Sequence, residues 1–232
     1  LLTFPGVFTG IGEFSIHKEF VSSKVAGPVA TLNNPALDRI FDFCAETGLI
    51  AILHNDIDMP FPKNGQDNWD LAQFRELLKR HPDASIIWAH CGMGRIVRPI
   101  QDQIGMLEKA LSNPEFNHVN IDISWTEVAK YITSSPETID RTAALINKYP
   151  DRFLMGTDEV APADQKSYLK IMDMYQPLLD KLNPDAKRKL LTDNYVRLFD
   201  AAKAKVRAWE KAHLNDPKPI PAPTPSSGVG NN

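Results

Sequence analysis

Cysteine is nearly absent from this chain. Its 232 residues hold two, Cys44 and Cys91, too few for a disulfide framework. A charge excess of one sign is absent as well. Lysine plus arginine number 26 and aspartate plus glutamate 29, a net charge of −3. That gives no electrostatic case for nucleic acid or an anionic membrane as a partner. No apolar run approaches the ~20 residues of a membrane span. There is no glycine-rich phosphate loop of the dinucleotide-binding or Walker type. No signal peptide is visible, but a targeting segment upstream of Leu1 would not be seen, so the compartment is left open with the cytoplasm favoured. What is present is a hydrophobic content of 43%, enough for one sizeable core.

Five apolar runs read as strands: residues 7–14, 49–54, 85–90, 118–124 and 153–158. Each is too short for a helix and is bounded by turn signals. Helical patterns follow each one. Asn34 and Pro35 cap and start the first, Leu37, Ile40, Phe41 and Cys44 form its apolar stripe, and Gly48 ends it. Cys44 is therefore expected to be a buried thiol. The second helix spans 69–80 and stops at His81-Pro82. The third carries Ile100, Ile104, Leu107 and Leu111, and the fourth opens at Ser135-Pro136. A fifth runs from Asp164 with Tyr168, Ile171, Met172, Tyr175 and Leu179 inward and is interrupted by Pro177. A last helix from Asp193 carries Tyr195, Phe199, Ala202, Val206 and Trp209 on one face. The folded part is expected to cover residues 1–213. Residues 214–232, rich in Pro, Ser and Gly, read as a disordered tail.

Strand alternating with helix implies a parallel sheet with helical crossovers. An open doubly wound sheet gathers its ligands where strand order reverses, whereas a (β/α)8 barrel gathers them from the ends of many strands. Here nearly every strand ends in a polar residue: Glu13, His54, His90, Asp122 with Ser124, and Asp158. That distribution favours an α/β barrel. His90 stands ahead of Cys91-Gly92-Met93-Gly94, where glycines let the backbone turn. Cys91 is expected to point away from it, as alternate residues of a strand do.

Each candidate has a bland alternative. His54 and Asp158 suit zinc, manganese or iron as ligands, but His54 also reads as a capping histidine and Asp158 as a helix N-cap. Glu13 reads as a ligand, a general base or the partner of an arginine. Asp122 and Ser124 share one face and read as an internal hydrogen-bond network. Arg95, Trp125 and Asn55, which opens the loop 55–68, are substrate-contact candidates, although a loop tryptophan is more often packing. Taken together the strand-end residues favour a catalytic site.

With these residues assembled, the chain resembles the amidohydrolase superfamily. It looks most like the amidohydrolase-related branch that includes aminocarboxymuconate-semialdehyde decarboxylase. The matching pieces are Gly10-Ile-Gly-Glu13, Ile52-Leu-His54, Trp88-Ala-His-Cys-Gly92, Ile121-Asp-Ile-Ser124, Phe153-Leu-Met-Gly-Thr-Asp158 and Asp193-Asn-Tyr-Val-Arg-Leu-Phe199. Their order fits strands four to eight of that family's (β/α)8 TIM barrel, so this chain is expected to hold about five β/α units.

The resemblance implies a divalent metal, zinc first, with manganese or iron as alternatives. It implies metal ligation by His54 and Asp158, with Glu13 as a further ligand; His90 is a ligand in some members and the proton-transferring histidine in others, and Asp158 is a ligand or the base that takes the proton of the water. The reaction implied is hydrolysis of a small amide, ester or lactone by a water whose pKa the metal lowers. Non-oxidative decarboxylation of an aromatic or unsaturated acid uses the same ligands, and a non-catalytic barrel with a decayed site is the alternative of another class. The expected partner is a small-molecule substrate, with a homo-oligomer compatible. The family's first strand ends in a His-x-His pair that this chain lacks. The strand ends recur roughly every 33 to 41 residues, so three further units take on the order of 100 residues and bring the total near the usual barrel length. On that reading the chain by itself is expected to associate, to bind metal weakly and to be a poor enzyme.

Overall fold

The computed structural model describes residues 1–16, 31–57, 69–93, 101–159 and 161–216. Five parallel strands form one sheet: β1 Gly10–Ser15, β2 Ile50–His54, β3 Ser85–Trp88, β4 Val119–Asp122 and β5 Phe153–Leu154. Their order in the sheet is their order in the chain. A doubly wound sheet would reverse direction somewhere; an unbroken 1-2-3-4-5 order is that of a barrel wall.

The helices start and stop where local chemistry tells them to. Helix α1, Pro35–Thr47, opens with the Asn34 side chain accepting from the Ala36 amide and closes on Gly48 in the left-handed region. Helix α2 spans Trp69–Arg80. The buried His81 that follows it faces Asp38 at 2.7 Å and Asp42 at 3.0 Å, both on α1. Helix α3 is Gln103–Leu111, capped by Asp102, and Ile100 lies outside the described residues. Helix α5, Pro136–Lys148, is capped by Ser135. Pro177 does divide the next helix, into α6 Gln165–Met174 and α7 Gln176–Leu179. The long helix α9, Asn194–His213, completes the fold. Two short helices gave no clear periodic signal: α4, Thr126–Ile132, and α8, Pro184–Arg188, which continues into a π turn at Lys189–Asp193.

The two faces of the sheet differ. Ala51, Leu53, Ile86, Trp88, Val119, Ile121 and Phe153 point into the main core, under the helices. Trp88 lies there against Phe74 and Phe116, with ring centroids 5.0 and 6.2 Å away. The alternate residues Ile50, Ile87 and Leu154 form a smaller cluster, packed by Ile52 and by Ala202, Leu198 and Phe199 of α9. Asn194 ties α9 to the sheet by donating to the carbonyls of Pro150 and Phe153 at 2.8 and 2.9 Å. Glu210, buried near the other end of α9, accepts from the Gly6 amide at 3.0 Å and from Arg207 at 2.7 Å.

Several expectations from the sequence need correction. The first strand starts at Gly10, not residue 7, because the segment before it is a turn with Val7 and Phe8 exposed. The third, fourth and fifth strands stop early, at Trp88, Asp122 and Leu154. His90, Cys91 and Asp158 have positive φ values of 55°, 47° and 48°, which an extended strand does not accept. Tyr168 and Tyr195 are 42% and 57% exposed and do not face the core. Tyr195 instead stacks on Phe199, centroids 4.4 Å apart. Among the described residues no helix is long and apolar enough to cross a membrane. Of the tail read as disordered, residues 217–232 lie outside the described residues.

Candidate metal and catalytic site

Glu13, His54 and His90 converge at the carboxyl ends of β1, β2 and β3, with one potential ligand atom from each lying within 4.8 Å of the others. The route to this point differs for each. β2 is apolar from Ile50 to Leu53 and delivers His54 at its last position, on the same face as Ile50 and Ile52. β1 carries a register shift between Ile11 and Phe14, and Glu13 sits inside it. A bulge of this kind re-aims a side chain. His90 arrives through a short 3-10 turn, Ala89–Gly92, rather than along the strand. Gly92 makes that turn feasible: its φ is +69°, and a Cβ there would come within 2.4 Å of the Trp88 ring.

Both imidazoles are oriented from behind. His54 Nε2 lies 3.3 Å from the Met93 carbonyl and 3.6 Å from Asp56 Oδ1, while its Nδ1 faces Glu13 Oε1 at 2.9 Å. His90 Nδ1 lies 3.2 Å from the Ser124 carbonyl, while its Nε2 faces Glu13 Oε2 at 3.3 Å and Asp158 Oδ2 at 3.9 Å. A carbonyl only accepts, so the nitrogen facing it carries hydrogen. A neutral imidazole then presents its lone pair to the Glu13 carboxylate, which has no hydrogen to give. Positive charge between the rings and Glu13 resolves the conflict, as protons on both rings or as one divalent cation. This donor set, a carboxylate oxygen and two imidazoles whose far nitrogens each face a carbonyl acceptor, is one that zinc and its neighbours accept. The residues present therefore fit such an ion.

The electrostatics follow the same lines. Burial by itself raises the Glu13 carboxyl, but hydrogen bonds from His54 and His90 outweigh it and hold Glu13 well below the usual carboxylate range. Its side chain remains 31% exposed. Burial pushes His90 down, and Glu13, Asp122 and Asp158 together more than reverse that, leaving it raised.

Behind His90 is a hydrogen-bonded unit on the loop after β4. The Ser124 hydroxyl donates to Asp122 Oδ2 at 2.5 Å and its amide to Oδ1 at 2.9 Å. The His90 amide reaches Asp122 Oδ2 at 3.4 Å. Burial raises the Asp122 carboxyl. The Tyr175 hydroxyl donates to the carbonyl of Ile123 and reaches that of Trp125 at 3.1 Å, which fixes the loop from below.

Of the other residues singled out in the sequence, Asp158 stands beside the cluster, 40% exposed. It caps no helix; the contact with the Glu159 amide comes from the Thr157 hydroxyl at 3.5 Å. Trp125 has its ring 5.3 Å from that of His90 and 6.4 Å from that of His54, forming one wall. Asn55 is buried, donates to the Asp56 carbonyl at 3.0 Å, and its Oδ1 has no partner among the described residues. Its main-chain carbonyl accepts from the Trp88 indole at 2.6 Å. Arg95 lies outside the described residues, as does most of the loop 55–68. Cys91 is buried, and its position follows from the left-handed turn rather than from strand alternation. Burial raises its thiol and pushes Cys44 up to about 11, so neither is a ready thiolate. Asp56 was missed as a neighbour of His54. Its position two residues after a strand-end histidine is the only signal the sequence offers.

A family model described as amidohydrolase matches residues 15–201, well over half of the chain. The chain belongs to the amidohydrolase family. A search of curated proteins finds no match. Among solved structures the chain is similar to an uncharacterised TIM-barrel protein from Bordetella bronchiseptica, at 18% identity and a TM-score of 0.51. The likeness covers 74% of this chain and 53% of that one, so this amidohydrolase-family chain spans about half the length of that structure. At this identity the likeness shows the fold alone. The five units are part of a TIM-barrel wall, with Glu13, His54 and His90 at the end of the strands where such barrels keep their chemistry.

Proposed function

We propose that this amidohydrolase-family chain carries the site of a metal-dependent hydrolase that cleaves a small amide, ester or lactone. The observation that supports it most is the facing of two ring nitrogens, His54 Nδ1 and His90 Nε2, onto one carboxylate. Glu13, His54 and His90 would hold the cation. Such an ion supplies Lewis acidity, lowering the pKa of a water and polarising a carbonyl. Asp158 Oδ2, beside His90 and open to solvent, takes the proton from the attacking water and returns it to the leaving group. The Asp122–Ser124 unit and the Met93 carbonyl keep the two rings in orientation. Trp125 closes one side and limits water.

Zinc or manganese titrated into the chain by calorimetry tests the proposal. One equivalent should bind, and His90→Ala should weaken binding by at least about tenfold, the lower end of what loss of even an outer-shell partner costs a metal site. Binding unchanged in His90→Ala and in His54→Ala would remove the cluster from the function. A panel of aryl esters, lactones and anilides, run beside aromatic acids with detection of carbon dioxide, separates hydrolysis from decarboxylation. Carbon dioxide release without hydrolysis would overturn the hydrolase reading while leaving the metal site in place.

A further inference from the structure

The amino ends of the strands enclose a second polar recess, at the opposite end of the sheet from His90. Ser85 opens β3 there, Asn120 is the second residue of β4, and Arg152 immediately precedes β5. Arg197 of α9 lies across from them. The cavity measures about 290 Å³. The four residues of β3 alone, roughly 13 Å at about 3.3 Å per residue, separate it from the His90 turn.

Among the described residues its two arginines donate to carbonyls and not to carboxylates. Arg152 donates through Nε to the Val119 carbonyl at 2.9 Å and through Nη2 to the carbonyls of Val119 and Phe116. Arg197 donates through Nη2 to the Asp151 carbonyl at 2.8 Å and approaches Asn194 Oδ1 at 3.5 Å. Neither forms an ion pair with a carboxylate among the described residues, and Nη1 of each takes part in none of these bonds. The Asp151 carboxylate, which also lines the recess, is engaged by Lys189 at 3.0 Å. His118 Nε2 is buried with no partner among the described residues. A buried polar nitrogen in that state is a cost that a ligand oxygen removes. Burial first, and then the like charge of Arg197, lowers the Arg152 guanidinium, as expected for two cations with no anion between them. Two carboxylates oppose an anion: Asp83, exposed near His118, and Asp151, whose charge Lys189 offsets.

We propose that this recess binds a small oxyanion of the phosphate class, at a site separate from the Glu13–His54–His90 cluster. Guanidinium forks match tetrahedral oxyanions and carry their charge at any accessible pH. His118, Asn117, Asn120 and Ser85 supply the remaining polar lining. The volume is at the lower limit of small-molecule sites, roughly 300 Å³. It holds a phosphate with a few carbon atoms, not a nucleotide.

The test is inorganic phosphate titrated into the full chain, at ionic strength held constant with chloride, followed by phosphorus line width and by melting temperature. Saturable binding is expected. Arg197→Ala should weaken it by about tenfold, as loss of one hydrogen bond to a charged group does, and Asp83→Asn should strengthen it several-fold. Both positions are exposed, so the two variants should fold, and their effects have opposite sign, which general destabilisation does not produce. Zinc binding at the other end of the strands should be the same in all three proteins. Glycerol phosphate run in parallel tells an ester from the free ion, and saturable binding of either supports the site. A response that chloride reproduces, or one that both variants leave unchanged, overturns the proposal.

Discussion

One face of the sheet packs into the main core and the other carries the polar cluster. Ile86, Trp88 and Phe153 point under the helices into a large continuous core, while Ile87 and Leu154 point the other way into a small cluster covered by α9. The second face is thin, interrupted by Asn120, and tipped by Glu13 and His54. Adjacent residues of one strand therefore have different tasks, because the strand repeat of two sends them to opposite sides. The polar cluster tolerates its position because it projects past the strand ends, where loop carbonyls can orient it without breaking the ladder.

The largest effect expected from this contrast is on stability. Trp88→Ala should cost about 3–5 kcal/mol, while Ile87→Ala, one residue away on the thinner face, should fall at the low end of about 2–5 kcal/mol. Urea denaturation of both variants measures the difference, and equal losses would erase the distinction between the faces. A second test falls on the edge that carries Glu13. Gly12 has φ +133°, and a Cβ there would meet the Ile52 carbonyl oxygen at 2.5 Å. Gly12→Ala should cost about 1–3 kcal/mol and should weaken zinc binding too, because Glu13 is its neighbour. A stable variant with full zinc affinity would show that β1 does not set the position of Glu13.

A smaller effect belongs to His118, just before β4. Burial, then the charge of Arg152, lowers its pKa. A depressed folded value means that the unfolded chain binds the extra proton first. The contribution is complete above the unfolded value of about 6.5 and is lost as pH falls through the folded value. The melting temperature of the wild-type chain should therefore drop relative to His118→Asn as pH falls below about 6.5. Parallel curves would remove His118 from the acid response. The smallest effect expected is none: deleting residues 217–232, with prolines at 217, 219, 221, 223 and 225, should leave the melting temperature unchanged. A drop of several degrees would show that this segment packs on the body.

Much of this was legible in order. The alternation of five apolar runs with capped helical stripes carried the parallel α/β architecture. Asn34, Gly48, Ser135 and Pro177 marked helix boundaries that the structure keeps, because caps and prolines act through bonds within a few residues. The histidines and acids at strand ends were also visible, since each stands at or just past the end of an apolar run.

What the sequence could not carry is which of those groups meet. Glu13 reaches both rings only because β1 slips register between Ile11 and Phe14. His90 reaches Glu13 only because the chain leaves the strand at Trp88 and turns through two left-handed residues. The strand pattern had extended that run to His90, and a turn set by the fit of Gly92 against the Trp88 ring leaves no periodic trace. Arg152 and Arg197 are 45 positions apart, and nothing local pairs them across a cavity. Composition, periodicity and caps are local quantities, so the sequence determined the elements, their order and the chemistry available at their ends. Register, turn conformation and the meeting of distant side chains depend on packing between elements, and those the tertiary structure decided.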